Sequence, residues 1–371
     1  MDDMKLTSID LFRYRLQLAR PVTSDASLTH REGLVIRMTD EAEHTGLGEI
    51  APLPGFSPES LAECEQQAVK WRWGALSQEV PLHLEELSGA FEQWLGQHNL
   101  APSVRCGIEM ATLSLLASSR GCSIGRLLTD SPSEGVEVNA LLAGNASSML
   151  KQAKEAVSQG YRTVKLKIGR NGLAEAVELI ERVRDTVGPD VKLRLDANGT
   201  FEVHTALQLL EKVSRLGIEY MEEPVSGISN LSQLLRSQPD ASVAIDESLL
   251  STTPTMLREL PALTAVILKP TLLGIERSMA FARAAVAMGA TPVVTSMFES
   301  GLGLASLAQL ASVVTPRKTA VGLDTRRWLA EDILIGDIYT HPGEIRLDQL
   351  AGKDCEPKMD RLQKVECDTY P

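Results

Sequence analysis

The chain has 371 residues, of which 43% are hydrophobic, and its formal net charge is −12 at pH 7. This length is more than one ordinary hydrophobic core serves, so it predicts two domains. The acidic balance argues against nucleic acid or an anionic membrane as a partner, because both attract a basic surface. No stretch approaches the ~18 apolar residues that a membrane span requires, and the N-terminus shows no signal-peptide pattern.

The cysteines indicate the redox compartment. Five are dispersed along the chain without a CxxC pair or the spacing of a zinc site, and they are Cys64, Cys106, Cys122, Cys355 and Cys367. An odd, scattered set is typical of free thiols in a reducing environment rather than of a disulfide framework. The sequence therefore predicts a cytoplasmic protein, and it leaves the oligomeric state open.

The first part of the chain has strand-like segments followed by helical ones, which predicts an α+β module over residues 1–105. Strand-like composition occurs near 5–18 and 33–39, and helical patterns occur near 58–73, 84–97 and 103–119. Residues 326–371 are polar and mixed in character. We expect this C-terminal segment to return to the first module.

From about residue 136 onward, short apolar strands alternate with amphipathic helices. The eight strand segments are VEVNALLAG, TVKLKIG, VKLRLDAN, IEYMEEP, SVAIDES, AVILKPT, TPVVTSMFES and TAVGLDT. Eight strands separated by helices predict a parallel (β/α) barrel over residues 106–325. A doubly wound open sheet is the alternative, but it usually has fewer repeats and a GxGxxG turn after its first strand, which this chain lacks.

Three consecutive barrel strands end in a carboxylate on the face opposite their apolar side chains. These are Asp196 in LRLDAN, Glu222 in MEEP and Asp246 in AIDES. Charges inside a barrel must be paired or bind a metal near its mouth, and barrel active sites form at the C-terminal strand ends. Three oxygen ligands without His or Cys favour Mg²⁺, with Mn²⁺ as a substitute. Strand alternation alone does not decide between Glu222 and its neighbour Glu223.

Lysines flank the carboxylates in the chain. Lys165 and Lys167 are on the strand before them, and Lys269 is on the strand after them. The second and sixth strands of a closed barrel stand roughly opposite each other, so ammonium groups would approach a metal-bound substrate from both sides. A general base must be partly neutral, so we expect burial and neighbouring cations to lower a lysine pKa. Any one of these charges alone is more typical of a surface, but the ordered set on five successive strands favours an active site.

The segments KLK, LDAN, EEP, IDES and LKP have the order and spacing of the muconate-lactonizing branch of the enolase superfamily, which the chain resembles over nearly its whole length. The resemblance implies a TIM-like (β/α)7β barrel under an α+β capping domain made from the N- and C-terminal segments. It also implies Asp196, Glu222 and Asp246 as magnesium ligands, with Lys167 and Lys269 as the acid/base pair.

Finer features resemble the o-succinylbenzoate synthases of that branch. They are the loop GEIAPLPGFSPES, the strand ends TSMFESGLGL and GLDT, and an Arg two residues before the first carboxylate. This resemblance implies a lyase of menaquinone biosynthesis that removes water from a cyclohexadiene carboxylate, with Lys167 as the base and Lys165 lowering its pKa. The candidates for contacts with the rest of the substrate are Arg194, Ser296, Ser300, Gly322, Asp324 and the segment 23–31.

Other functions use parts of the same pattern. An N-succinylamino acid racemase or a dipeptide epimerase also needs two lysines on opposite faces of its substrate. Dipeptide epimerases typically carry Asp-x-Asp in the eighth strand, whereas this chain has Gly322 in place of the first carboxylate and Asp324 as the second. A Schiff-base aldolase would use Lys269 as a nucleophile, but it gives the three carboxylates no role. A barrel that only binds a ligand would not need the complete set of carboxylates and lysines.

Overall fold

The computed structural model describes residues 4–20, 28–76, 78–169, 172–238, 240–261, 263–338, 341, 343–349 and 356–366. The strands are β1 (Met4–Gln17), β2 (His30–Asp40), β3 (Thr45–Ile50), β4 (Glu79–Val80), β5 (Gly135–Glu137), β6 (Ala140–Leu142), β7 (Thr163–Lys167), β8 (Lys192–Asp196), β9 (Ile218–Glu222), β10 (Val243–Ile245), β11 (Ala265–Leu268), β12 (Thr291–Val294), β13 (Glu344–Arg346) and β14 (Gln363–Lys364). The α-helices are α1 (Leu61–Ala75), α2 (Ala90–Leu95), α3 (Pro102–Ser119), α4 (Ile124–Leu128), α5 (Ala146–Ser158), α6 (Leu173–Val187), α7 (Val203–Val213), α8 (Ile228–Ser237), α9 (Pro254–Leu257), α10 (Pro270–Leu273), α11 (Ile275–Ala287) and α12 (Gly301–Val314). Within the described ranges, every helix is too short or too polar to cross a bilayer.

The capping domain is built on an antiparallel sheet with the order β14-β1-β2-β3, and β4 adds beside β1. Helix α1 begins with a capping box, in which the Ser60 hydroxyl accepts from the Glu63 N–H and the Glu63 carboxylate accepts from the Ser60 N–H. The helix buries Cys64, Ala68 and Trp71 at the spacing of successive turns. One apolar stripe therefore packs inward, as the helical pattern near 58–73 predicts.

Helix α3 packs closely on β3 because glycines remove the side chains between them. A Cβ on Gly48 would lie 2.0 Å from the carbonyl oxygen of Gly107, and one on Gly46 would lie 2.2 Å from that of Ala111. Strand β3 is not predicted from the sequence, because glycine is depleted in strands. The close approach holds Glu49, which follows Gly48 in β3, at a buried position.

The barrel sheet is parallel, with the strand order β12-β11-β10-β9-β8-β7-β6. Residues 321–322 close it, because Val321 bridges Val138 on one side and Gly322 bridges Thr295 on the other. The predicted TIM-like barrel with a capping domain is thereby confirmed. Among the residues that the structure describes, the eighth segment makes only these two bridges. Gly322 approaches so closely that a Cβ there would lie 2.5 Å from Thr295 Oγ1.

The helix predicted over 84–97 is interrupted. Leu87 and Gly89 have φ of 48° and 107°, the left-handed region that ends a helix. A 3₁₀ turn (Leu82–Glu86) therefore precedes α2 instead of continuing into it.

The described C-terminal segment reaches the capping sheet, where Lys364 of β14 pairs with Phe12 of β1. The domain boundaries at residues 105 and 325 stay a prediction. The free thiols are Cys64, Cys106 and Cys122, whereas Cys355 and Cys367 lie outside the described residues.

Candidate active site

The three predicted carboxylates lie side by side at the C-terminal strand ends. Asp196 and Glu222 are the last residues of β8 and β9 and are direct partners across these strands. Glu222 also pairs with Ala244 of β10, and Asp246 follows two residues later. All three side chains are buried. The barrel therefore gathers three acidic groups at one mouth.

Two buried lysines make ion pairs with these carboxylates from neighbouring strands. Lys165 Nζ donates to Glu222 Oε1 at 2.5 Å and lies 3.0 Å from Asp196 Oδ2. Lys269 Nζ contacts Asp246 Oδ2 at 2.5 Å. Since β7 adjoins β8 and β11 adjoins β10, the two ammonium groups bracket the carboxylate row from both sides, as the sequence predicts.

Lys167 has a different environment from Lys165. It is half-buried, and its Nζ donates to Asn198 Oδ1 at 3.4 Å. Lys167 and Asp196 are direct partners across β7 and β8, so this ammonium also lies at the level of the first carboxylate. The structure thus brings all three lysines to the same mouth.

The acidic row fits a hard divalent cation in its donor chemistry. Among the described residues no group of three or more His, Cys, Asp or Glu side chains has the arrangement of a metal site, and lysines pair with the oxygens of this row. Burial raises the pKa of Asp246 to about 7, and the charge of Glu222 adds to the rise. Burial likewise raises the pKa of Glu222, with a contribution from Asp196. Where carboxylates raise one another's pKa in this way, a further positive charge nearby stabilises their ionised forms.

Two of the three lysines have raised pKa values. Burial works to lower the pKa of Lys165, but Asp196 and Glu222 outweigh it and raise that pKa well above its ordinary value. The same balance, with Asp246 as the largest opposing charge, raises the pKa of Lys269. For these two lysines, direct contact with a carboxylate outweighs the desolvation penalty, whereas the predicted lowering for the general base stays a prediction.

The structure separates the roles of Glu222 and Glu223, which strand alternation left open. Glu222 points to Lys165. Glu223, at φ 39°, turns away, and its carboxylate accepts from the Asp246 N–H at 2.8 Å and from the N–H and hydroxyl of Ser248. Glu223 therefore fixes the backbone that presents Asp246.

Glu247 and Asn198 also belong to the site, although no role is predicted for them from the sequence. Glu247 Oε1 lies 3.2 Å from Lys269 Nζ, and it also accepts from Asn198 Nδ2 at 3.2 Å. This bridge joins the ends of β8 and β11 across the mouth. Asn198 lies two residues after Asp196 in LDAN, and Glu247 follows Asp246 in IDES. This closeness to predicted ligands is the sequence feature that could have identified them as site residues.

The predicted substrate contacts occupy varied positions. Arg194 is buried below the carboxylates, where its Nε donates to Glu219 at 2.5 Å and its Nη1 to the Ala320 carbonyl at 2.7 Å. Ser300 is the N-cap of α12. Asp324 accepts from the Tyr161 hydroxyl at 3.1 Å. All of these contacts are made within the protein itself, and a role of these residues in substrate binding stays a prediction.

Ser296 and Gly322 lie together at the ends of the seventh and eighth strands. The Ser296 hydroxyl lies 3.2 Å from the Gly322 carbonyl oxygen and 2.7 Å from the Thr325 hydroxyl. Within the predicted segment 23–31, residues 23–27 lie outside the described part of the chain. Arg31, its last residue, is buried and donates to the carbonyls of the capping loop at residues 51–52.

The capping loop that follows β3 lies over the barrel mouth. Leu53 packs with Leu272, just after β11, and with Met297, just after β12. Arg31 adds a hydrogen bond of 3.0 Å to the Phe298 carbonyl. The loop thus covers the ends of the sixth and seventh strands, where a substrate at the acidic row would be shielded from water.

The fold and the acidic mouth define an enzyme of the enolase superfamily. The family model described as enolase C-terminal domain-like matches residues 148–361, and the model for the MenC N-terminal domain matches residues 6–115. The crystal structure of a dipeptide epimerase from Cytophaga hutchinsonii, complexed with Mg and a dipeptide, has a TM-score of 0.82. It is 21% identical, and the match covers 98% of this chain and 99% of that one.

Sequence relatives define the family more closely. The chain is 33% identical to the o-succinylbenzoate synthase of Haemophilus influenzae, over 89% of this chain and 96% of the relative. It is 30% identical to Protein PHYLLO, chloroplastic, of Arabidopsis thaliana over 90% of this chain, and it spans only 22% of that longer relative. The chain belongs to the o-succinylbenzoate synthase family.

Proposed function

We propose that the chain catalyses the dehydration of 2-succinyl-6-hydroxy-2,4-cyclohexadiene-1-carboxylate to 2-succinylbenzoate, a step of menaquinone biosynthesis. The observation that carries this proposal is the row of Asp196, Glu222 and Asp246 between lysines on β7 and β11, in a chain of this family. A small carboxylate substrate, a cytoplasmic location and no nucleic-acid partner belong to the same proposal.

Asp196, Glu222 and Asp246 would hold Mg²⁺, and Mn²⁺ would substitute because it shares the preference for oxygen ligands. When bound, the cation supplies positive charge that stabilises the negative charge developing on the substrate carboxylate. Support comes from the acidic oxygens and the raised pKa values of Glu222 and Asp246. A related fold solved with Mg bound is consistent with this choice.

Lys167 is the proposed general base, acting as the neutral amine, with Asn198 orienting its amino group. It removes the proton from the ring carbon next to the carboxylate and then donates that proton to the departing hydroxyl on the same face, which leaves as water. Lys269 stays cationic, in keeping with its raised pKa, and stabilises the negative charge from the other face. Formation of the aromatic ring drives the reaction forward.

The second candidate function is N-succinylamino acid racemization. The observation that favours it is the presence of Lys167 and Lys269 on opposite sides of one mouth, which suits proton removal on one face and return on the other. Dipeptide epimerization is less favoured, because Gly322 stands where a carboxylate would hold the substrate ammonium.

Turnover of the cyclohexadiene substrate, followed by ultraviolet absorbance as the ring becomes aromatic, tests the proposal. We expect turnover that requires Mg²⁺ and disappears in Lys167→Ala. Lys151→Ala, an exposed lysine of α5, is the matched control and should keep full activity. A folded protein that shows no turnover with Mg²⁺ would contradict the synthase function and leave racemization of N-succinylamino acids to be measured.

A further inference from the structure

Two arginines stack on one tryptophan where the chain leaves the eighth barrel strand. The guanidinium carbon of Arg327 lies 4.8 Å from the centroid of the Trp328 ring, and that of Arg20 lies 5.2 Å from it. Arg20 comes from the end of the first capping strand, next to Ala19, whose N–H donates to the Trp328 carbonyl at 2.7 Å. The capping domain and the barrel therefore contribute one cation each to a single aromatic platform.

This platform adjoins the catalytic mouth. Arg327 Nη2 donates to the carbonyl oxygen of Leu141 at 3.2 Å, and Leu141 is the direct strand partner of Lys165. Neighbouring strands are about 4.8 Å apart, so this contact lies one strand away from the catalytic lysine strand. On the other side, the Trp328 ring meets the ring of Phe298, after the seventh strand, at 5.8 Å.

Arg327 has donors left for a ligand. Its Nη2 forms an ion pair of 2.8 Å with Asp324, which holds the guanidinium in place. Its Nε is buried and finds no acceptor among the described residues. A buried donor without an acceptor destabilises the folded protein, and a ligand oxygen that accepts from it would remove this penalty. Arg20 is exposed to solvent beside it.

We propose that Arg20 and Arg327, stacked on Trp328, bind the free carboxylate at the end of the substrate's succinyl side chain. The inference rests on the proposed function, whose substrate has one carboxylate for the acidic mouth and a second about four bonds along the side chain. Guanidinium groups recognise carboxylates through charge-assisted hydrogen bonds, and an aromatic face keeps them oriented. Because the chain has a net charge of −12, a local pair of cations favours the binding of a dianionic ligand.

The alternative role is purely structural, in which the arginines only join β1 to the segment after the eighth strand. Ligand binding separates the two roles. The test compares the affinity for 2-succinylbenzoate with the affinity for its side-chain amide, both measured calorimetrically with Mg²⁺ present. The amide keeps the shape of the product and removes only the terminal negative charge.

We expect wild-type protein to prefer the carboxylate, and we expect Arg327→Gln and Arg20→Gln each to lose about 10- to 100-fold of that affinity with little change for the amide. Arg327→Lys, which keeps the charge, should recover part of the loss. Arg162→Gln removes an exposed arginine whose ion-pair partner, Glu137, lies 3.7 Å away before the first barrel strand, and it should bind both ligands as wild type does.

Equal affinities for carboxylate and amide in wild-type protein, or equal losses for both ligands in the arginine variants, would overturn the proposal. Arg20 is exposed, so its variant remains informative if Arg327→Gln fails to fold. Turnover of the cyclohexadiene substrate by wild-type protein is measured separately. Absent turnover with a preserved carboxylate preference contradicts only the synthase function, whereas turnover without that preference contradicts only the arginine pair.

Discussion

Glu49 and Ser300, which are 251 positions apart in the chain, are joined by two hydrogen bonds between the capping domain and the barrel. The Ser300 hydroxyl donates to Glu49 Oε2 at 2.6 Å, and the Ser300 N–H donates to Oε1 at 2.9 Å. The Gly303 N–H and the Tyr14 hydroxyl also donate to this carboxylate. A negative charge is favourable at the N-terminus of a helix, and here it belongs to another domain and meets α12 directly after the seventh strand.

The first prediction concerns this carboxylate. Glu49→Gln keeps the shape but removes the charge and an acceptor from a buried group with four donors, so we expect the free energy of unfolding to fall by about 2 kcal/mol. Urea unfolding of the variant and of the wild-type protein measures this difference in the free energy of unfolding. The control is Glu32→Gln, whose exposed ion pair with Arg15 at 3.3 Å should contribute less than about 1 kcal/mol. Equal effects of the two substitutions would contradict the role of Glu49 as a domain link.

The second prediction tests the same link from the helix side. A Cβ on Gly303 would lie 2.5 Å from Glu49 Oε2 and 2.7 Å from Glu299 Cβ, so Gly303→Ala must displace both side chains and should destabilise the protein. We expect the double variant with Glu49→Gln to lose less than the sum of the single losses, because both changes break one contact. Gly74→Ala, where the nearest atom is 3.9 Å away, is the control and should not destabilise. Additive losses in the double variant would show that Gly303 acts independently of Glu49.

The sequence predicts the barrel and the acidic row because both depend on local periodicity. Strand alternation at successive strand ends predicts Asp196 and Asp246, the family resemblance implies Glu222 rather than its neighbour, and the structure brings the three together. Strand β3 was missed because its glycines serve a packing contact with α3 that no local pattern records. The Glu49 link was missed for the same reason, since its partner is distant in sequence.

The direction of the lysine pKa shifts could not be predicted from the sequence. Burial and carboxylate contact act oppositely on Lys165, and the outcome depends on Nζ to oxygen distances of 2.5 and 3.0 Å. The left-handed conformation at Leu87 interrupts a predicted helix where the side chain is buried and Arg283, distant in sequence, donates to its carbonyl oxygen.

The third prediction distinguishes Glu222 from Glu223 as the metal ligand. If Glu222 binds Mg²⁺, Glu222→Gln should remove most of the rise in melting temperature that the cation gives. Glu223→Gln should lower the melting temperature, because Glu223 orders the backbone at Asp246 and Ser248, but it should preserve a clear response to Mg²⁺. Thermal melts with and without Mg²⁺ measure both effects. A larger loss of the Mg²⁺ response in Glu223→Gln would reverse the assignment.

The fourth prediction concerns Glu109, a buried carboxylate of α3 that caps α11. It accepts from Arg105 Nε at 3.0 Å and from the N–H groups of Ile275 and Glu276. Burial raises its pKa to about 7, against an ordinary value of 4.5. Because the folded-state pKa is the higher one, this group's contribution to stability is complete below about pH 4.5 and is lost as the pH rises through 7.

Replacing Glu109 with Gln removes the ionisation, so the stability of the variant relative to wild type should improve as the pH rises from about 5 to about 8. The upper limit of this change is about 3 kcal/mol, since each unit of pKa shift corresponds to about 1.4 kcal/mol. Urea unfolding at several pH values measures the difference. Glu85→Gln, at a carboxylate paired with exposed Arg120, is the control and should give a curve parallel to wild type. A Glu109→Gln curve parallel to wild type would show that the Glu109 carboxylate keeps an ordinary pKa in the folded protein.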